Sequence, residues 1–258
     1  MSRLVVISNR VAIPTARGAA GAQGGLAGAL NAALKDAGGL WFGWSGKESE
    51  QPSTEPHLIE ADGVTMATID LTPQDVAEYY YGYANSTLWP LFHYRMDLTE
   101  YERLTAIGYE RVNERFADSV APLIAADDQI WVHDYHLIPL GDALRRRGCR
   151  NRMGFFLHIP WPPTQLFVSL PYHERLVRSL LAYDVIGFQC DDINAVVERF
   201  ENSGYAPRHD VNLAQGLGKN PAKDNAEYKM TGPESVMVDV SERGWAGTES
   251  YKGNPPAA

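Results

Sequence analysis

The chain has 258 residues and a formal net charge of −9, from 23 Lys and Arg against 32 Asp and Glu, and 45% of it is hydrophobic. That balance belongs to a globular protein of one large or two small domains and excludes a disordered or fibrous chain. An acidic chain lacks the basic footprint that nucleic acid demands, although a few arginines suffice for a local anion pocket. No run reaches the roughly 18 apolar residues of a membrane span. Met1-Ser2-Arg3 leads straight into a strand-like segment without a signal-peptide cleavage pattern, so cytoplasmic residence is expected. Cys149 and Cys190 stand far apart in no metal-like spacing, as free thiols in a reducing compartment would.

Short apolar runs alternate with longer amphipathic ones. Leu4 to Ile7 is an apolar run of the kind a parallel sheet buries on both faces. Leu26 to Leu34 has helical spacing and stops at Gly38-Gly39. Trp41 to Trp44 and Val64 to Ile69 read as strands. Thr72-Pro73-Gln74-Asp75 supplies an N-cap hydroxyl, a first-turn proline and early acidity for a helix running towards Tyr83. A further helix is expected from Thr99 to Ile124, a strand at Ile130 to Val132 and a helix from Leu137 to Arg147. Met153 to Leu157 is a strand, His173 to Ala182 a helix, Val185 to Phe188 a strand and Asp191 to Asn202 a helix. The alternation predicts an α/β fold, a mostly parallel sheet with helices on both faces. Ligands of such sheets bind at the carboxyl ends of the strands, so the residues that follow each strand carry the interest.

From Val211 onwards Gly and Pro number 10 in 48 residues, a higher density than before, and Val236 to Val240 is the only strand-like stretch. This segment is expected to be poorly packed or disordered. Arg145-Arg146-Arg147, with Arg150 and Arg152, ends a helix, where cations complement the dipole, and reads as a solvated face.

Arg10 follows the first strand in Ser8-Asn9-Arg10, and its planar fork of donors suits a phosphate or carboxylate; a surface arginine closing a strand is the alternative. The small-residue loop after it ends at Gly24-Gly25 and opens a helix, where backbone N–H groups can cradle an anion. Its spacing is not G-x-G-x-x-G, which argues against a dinucleotide oxidoreductase. Asp134, in His133-Asp134-Tyr135-His136, sits where the crevice is expected, as an acceptor for sugar hydroxyls or a base. Two histidines three apart at a strand end do not share a face, so no metal site is expected. His158 precedes Ile159-Pro160-Trp161-Pro162-Pro163, a rigid segment that would fix its direction. Tyr79-Tyr80-Tyr81, Trp89-Pro90 and Phe92-His93-Tyr94-Arg95 give aromatic rings with polar handles, suited to carbohydrate or simply to a core.

In this order, Val5-Val6-Ile7-Ser8-Asn9-Arg10, Gly24-Gly25-Leu26-Ala27, Gly39-Leu40-Trp41-Phe42-Gly43-Trp44-Ser45-Gly46, Glu78-Tyr79-Tyr80, Leu88-Trp89-Pro90, Phe92-His93-Tyr94-Arg95, Trp131 to Leu137 and Gly154 to Pro160 resemble the trehalose-6-phosphate synthase family. The resemblance runs from Ser2 to about Gly204. It implies the amino-terminal, acceptor-side Rossmann-like domain, residues 1–204, of a retaining glycosyltransferase of the B fold. The implied reaction moves glucose from UDP-glucose to glucose 6-phosphate, giving trehalose 6-phosphate and UDP, with no cofactor and no metal. By matching position, Arg10 and Tyr80 would hold the acceptor phosphate, and Trp89 and Asp134 its glucose. His158 would reach the donor sugar, Gly24 and Gly25 would close over the donor, and Trp41 would stand near the site. Residues 205–258 look unlike the family, and no donor-binding domain is recognisable in them, so the chain looks truncated and inactive alone. The alternative is a non-catalytic glucose 6-phosphate-binding module or regulatory subunit. Self-association into a homo-oligomer is left open.

Overall fold

The computed structural model describes residues 3–11, 13, 34, 38–61, 63–190, 227–231 and 237–242, with side chains omitted at 189–190 and in the last two segments. The Gly24-Gly25 loop, the helix expected before Leu34 and the helix expected at 191–202 lie outside the described residues. The strands are β1 (Leu4–Arg10), β2 (Gly39–Glu48), β3 (His57–Ala61), β4 (Val64–Leu71), β5 (Gln129–His133), β6 (Met153–Leu157), β7 (Val185–Cys190), β8 (Glu227–Thr231) and β9 (Met237–Glu242). They form one sheet in the order β3-β4-β2-β1-β5-β6-β7-β9-β8, antiparallel only at the two edge pairs β3–β4 and β8–β9.

Alternation along β1 builds the two layers around it. Val5 and Ile7 face a large core with Phe42, Tyr79, Val112 and Phe116, whereas Val6 faces a smaller one with Trp41, Val64, Met66 and Leu34. Both faces of the strand are therefore withdrawn from water, as its unbroken apolar run requires. From β1 the chain winds outwards through β2 to β4, then returns to lay β5, β6 and β7 on the other side. The winding reverses between β1 and β5, and a crevice opens there at the carboxyl edge.

Thr72 caps α1 (Pro73–Asp75), its hydroxyl accepting from the Asp75 N–H at 2.9 Å, as the sequence predicts. The helix does not stop near Tyr83. It continues as a π-helix over Val76–Leu88 and then as α2 (Trp89–Phe92). The i→i+5 bonding of the middle stretch puts Tyr80 and Asn85 on one side, a pairing that a 3.6-residue period does not give. After it come α3 (Arg103–Val120), the 3₁₀ turn Tyr135–Leu137, α4 (Leu140–Arg146), α5 (Thr164–Phe167) and α6 (His173–Leu180).

Two segments depart from expectation. β3 carries no fully buried residue, so it left little apolar signature; it pairs with β4 through the backbone, and Ile59 and Ala61 are partly buried against the smaller core. The stretch 205–258, expected to be irregular, contributes β8 and β9. There β9 extends the sheet along the edge offered by β7, a contact made by main-chain groups whatever the side chains. Among the described residues no helix is long and apolar enough to cross a membrane.

The basic cluster is structural. Arg146 and Arg147 pair with Glu114, and Arg147 also with Asp118, tying α4 to α3. Arg145 donates to the carbonyls of Cys149, Asn151 and Ala182 and pairs with Asp184 at 3.0 Å. These guanidiniums are engaged with the protein and offer no anion pocket.

Behind the crevice, the buried Tyr183 hydroxyl accepts from the Gly141 N–H at 2.8 Å and donates to the Leu137 carbonyl at 3.1 Å. It pins the turn that follows β5 to the start of α4. Tyr183→Phe strands these buried groups and is expected to cost about 1–3 kcal/mol. Urea unfolding measures it, and an unchanged midpoint would contradict the role.

Candidate active site at the carboxyl edge of the sheet

β1 and β2 run in register until Ile7 pairs with Phe42, after which one extra residue slips in and Arg10 pairs with Trp44. Without this bulge Arg10 would lie level with Ser45. Such slips re-aim side chains at sheet ends. The Arg10 guanidinium lies 5.7 Å from the Trp44 ring centre, on a face that Gly46 leaves open. Gly46 has φ +83°, a conformation that favours glycine, and a Cβ there would displace the Arg10 guanidinium.

Trp44 is also the contact for Tyr80, their rings 5.8 Å apart. Arg10 and Tyr80, seventy residues apart in the chain, thus meet on one indole. Tyr80 stacks in turn on His136 at 5.7 Å with the planes 13° apart, and Tyr79 donates to Asn9 Oδ1 at 2.8 Å. One π turn further on, Asn85 accepts from the Tyr135 hydroxyl at 2.8 Å. The π-helix is thereby fixed to both rims of the crevice, through Asn9 at the end of β1 and through Tyr135 and His136 after β5.

Asp134 occupies the step from β5 into this turn with φ 76° and ψ 165°, a region almost reserved for glycine. Its N–H donates to the Phe156 carbonyl of β6 at 2.8 Å. Its Oδ1 accepts from the backbone N–H of Tyr135 at 3.0 Å and of His158 at 3.2 Å. Oδ2 has no partner among the described residues. Burial pushes this carboxyl up to about 6, against the pull of the two N–H groups.

His158 stands at the end of β6, and its Nε2 lies 2.9 Å from Nδ1 of His133 at the end of β5. Burial lowers His158 to about 4 and His136 to about 3, and holds His133 well below the ordinary range, so all three rings are neutral at pH 7.

Arg10, Tyr80, Asp134 and His158 therefore gather around the β1–β5 crevice. Trp41 does not join them. It is fully buried in the core on the opposite face, its indole N–H donating to Ser8 Oγ at 2.8 Å, and the tryptophan against Arg10 is Trp44. Trp89 is partly exposed one helical turn beyond Asn85, and its ring stacks on His93 at 4.1 Å. Of the aromatic stretch, Tyr79, Leu91 and Phe92 fill the core, whereas Tyr81 and Tyr94 are exposed. Trp44 and Asn85 escaped the sequence reading, and His133 was weighed there only as a metal ligand. An isolated Asn carries no signal, and Trp44 and His133 lie within strand patterns that hide a functional side chain among packing ones.

A separate cleft of about 320 Å³, lined by Tyr83, Arg103, Tyr109, Glu110, Tyr172 and Arg175 among others, contains none of these strand-end residues. No cluster of three or more His, Cys, Asp or Glu suited to a metal ion occurs among the described residues.

The family model for glycosyltransferase family 20 matches residues 2–200. The chain belongs to glycosyltransferase family 20. A trehalose-6-phosphate synthase of Sinorhizobium fredii is 54% identical over 193 residues, 74% of this chain and 41% of the relative. One of an Enterobacter species is 44% identical over 243 residues, 93% of this chain and 50% of the relative. An α,α-trehalose-phosphate synthase (UDP-forming) from Burkholderia xenovorans in complex with glucose-6-phosphate superimposes with a TM-score of 0.73 at 40% identity, covering 93% of this chain and 49% of that one. A structure from E. coli bound with UDP-2-fluoro glucose gives 0.71 at 39%, covering 93% and 48%. The chain thus has the fold of a Rossmann-like domain of the glycosyltransferase B type and spans about half the length of the relatives it matches. The family model ends near the expected limit at 204, but a pairing over 93% of the chain has to run through most of 205–258, where the resemblance was expected to fail.

Asp134 yields a pH prediction. Its folded-state value lies above that of an ordinary carboxyl, so ionising it costs stability, a penalty absent well below 3.8 and complete above about 6. Asp134→Asn is therefore expected to gain stability over wild type as pH rises through that window, by up to about 3 kcal/mol, and to keep the gain above it. Urea titrations across the window read the difference directly; one that does not vary with pH contradicts the burial of the charge.

Proposed function

We propose that this chain forms the acceptor side of a retaining glucosyltransferase that moves glucose from UDP-glucose to glucose 6-phosphate, giving trehalose 6-phosphate and UDP. The observation that carries the reading is the meeting of Arg10 and Tyr80 on Trp44, across the crevice mouth from a carboxylate with one oxygen still open. A guanidinium beside a phenol suits a phosphoryl group, and a carboxylate with an unpaired oxygen suits a sugar hydroxyl. The ligands named for the Burkholderia xenovorans and E. coli structures, glucose-6-phosphate and a UDP-glucose analogue, are the substrates of this reading.

In this mechanism Arg10 and Tyr80 hold the acceptor phosphate, Trp89 lies along its sugar, and Asp134 Oδ2 accepts from a sugar hydroxyl. Gly24 and Gly25 close over the donor and His158 meets the donor sugar. The acceptor hydroxyl approaches the donor C1 on the face from which UDP leaves. Its oxygen forms the new bond as the bond from C1 to the diphosphate breaks, and its proton passes to the departing phosphate oxygen. No carboxylate nucleophile is needed, in contrast to retaining glycosidases with their paired acids. Asp134 orients and does not attack; the protein's contribution is alignment and fixed polarity. The reading requires no cofactor or metal and is consistent with residence in the cytoplasm.

Arg10→Ala is expected to weaken glucose 6-phosphate binding by at least about tenfold, the worth of one charge-assisted contact, and to leave glucose nearly unaffected. Calorimetric titration with both ligands decides, and equal losses would remove Arg10 from the phosphate. In an enzyme completed by a donor-binding half, Asp134→Asn is expected to lower the rate of UDP release while the protein stays folded; an unchanged rate takes Asp134 out of the site. Glucose 6-phosphate binding without UDP release, once a donor-binding half is supplied, would favour a non-catalytic sugar-phosphate module.

A further inference from the structure

His133 was not singled out by its position, yet its ring is as buried as any in the core, 1% exposed, and it touches His158 through a nitrogen. The two ring centres are 5.2 Å apart with the planes 20° apart. That separation is close to the greatest that a 2.9 Å N···N contact allows, so both nitrogens lie near the line joining the rings. This is an in-plane hydrogen bond, not a face-to-face stack. Trp131 packs against His133 at 4.3 Å and Phe156 against His158 at 4.7 Å, and these neighbours limit the rotation of both imidazoles.

Two neutral imidazoles sharing one N–H···N bond have only two proton arrangements. If His158 donates from Nε2, then His133 carries its proton on its own Nε2, which is buried and has no partner among the described residues. That leaves an orphaned N–H donor in the core, among the rarest defects of folded proteins. If His133 donates from Nδ1, its Nε2 is a bare lone pair, and His158 must carry its proton on Nδ1. The Nδ1 atom of His158 has no hydrogen-bond partner among the described residues.

We propose that His133 is a positioning residue that locks His158 as the Nδ1–H tautomer, so that the crevice meets an imidazole N–H donor and not a base. His158 then gives a hydrogen bond to an oxygen of the sugar or of the leaving phosphate and takes no proton from the acceptor hydroxyl. That consequence rests on the transferase reading above; the tautomer itself is a property of the ligand-free protein. The role agrees with the mechanism, in which the departing phosphate receives the proton.

Long-range ¹H–¹⁵N correlation spectra of the ¹⁵N-histidine-labelled full chain at pH 7.5 report which ring nitrogen carries the proton. The expected result is that both His133 and His158 are protonated on Nδ1, with Nε2 the deshielded, unprotonated nitrogen in each. His158 protonated on Nε2 in the wild type overturns the proposal, whether or not UDP release is observed. His133→Asn keeps an N–H to donate and is expected to retain the Nδ1–H form of His158. His133→Leu removes the donor and is expected to shift His158 towards Nε2–H. A merely structural histidine would leave the tautomer alike in both variants, and that outcome too would defeat the assignment. If His133→Leu does not fold, the wild-type spectrum still decides.

Discussion

A carboxylate held out of water at the end of β5 sets the terms for the residues around it. Asp134 adopts backbone angles that favour glycine, and four main-chain hydrogen bonds keep it there: its N–H to Phe156, its carbonyl from Leu137, and its Oδ1 from Tyr135 and His158. Two of these partners belong to β6 and the residue after it, so neighbouring strands have to pair before the aspartate can take its position. Strain and a buried charge are both costs to folding, and a core closed on both faces of β1 offsets them. Proteins concentrate such costs at sites of chemistry, because activity often demands groups that the fold alone would not choose.

On the opposite rim the assembly works by sharing. Trp44 presents one indole to Arg10 and to Tyr80, so a cation and a phenol from distant segments acquire a common position. The β1 bulge brings the arginine level with the indole, and the π-helix turns Tyr80 and Asn85 towards the same crevice. His133 extends the pattern to the third strand end, where a buried ring meets the imidazole of His158 edge to edge. In each case a side chain packed into the sheet fixes the position of another at the crevice.

Much of this architecture was legible beforehand. The runs at Leu4, Val64, Ile130, Met153 and Val185 are strands because their apolar residues repeat with a strand's burial, and Thr72-Pro73 starts a helix by local hydrogen bonding and a fixed φ. Arg10, Asp134 and His158 were identifiable as residues that directly follow strands of a parallel sheet. β3 and β8 were not, because pairing at a sheet edge uses main-chain groups that every residue possesses. Trp41 and Trp44 could not be told apart: three residues apart on one strand they face opposite sides, and only the sheet's register settles which one faces Arg10.

Sequence by itself determined the fold class and the order in which strand ends reach the crevice, since periodicity and the α/β alternation are written residue by residue. Which side chains meet was decided by the tertiary structure. A one-residue slip between β1 and β2, a change of helical register after Asp75 and an in-plane contact between two histidines each depend on how separate segments pack, and no local pattern encodes a distance between them.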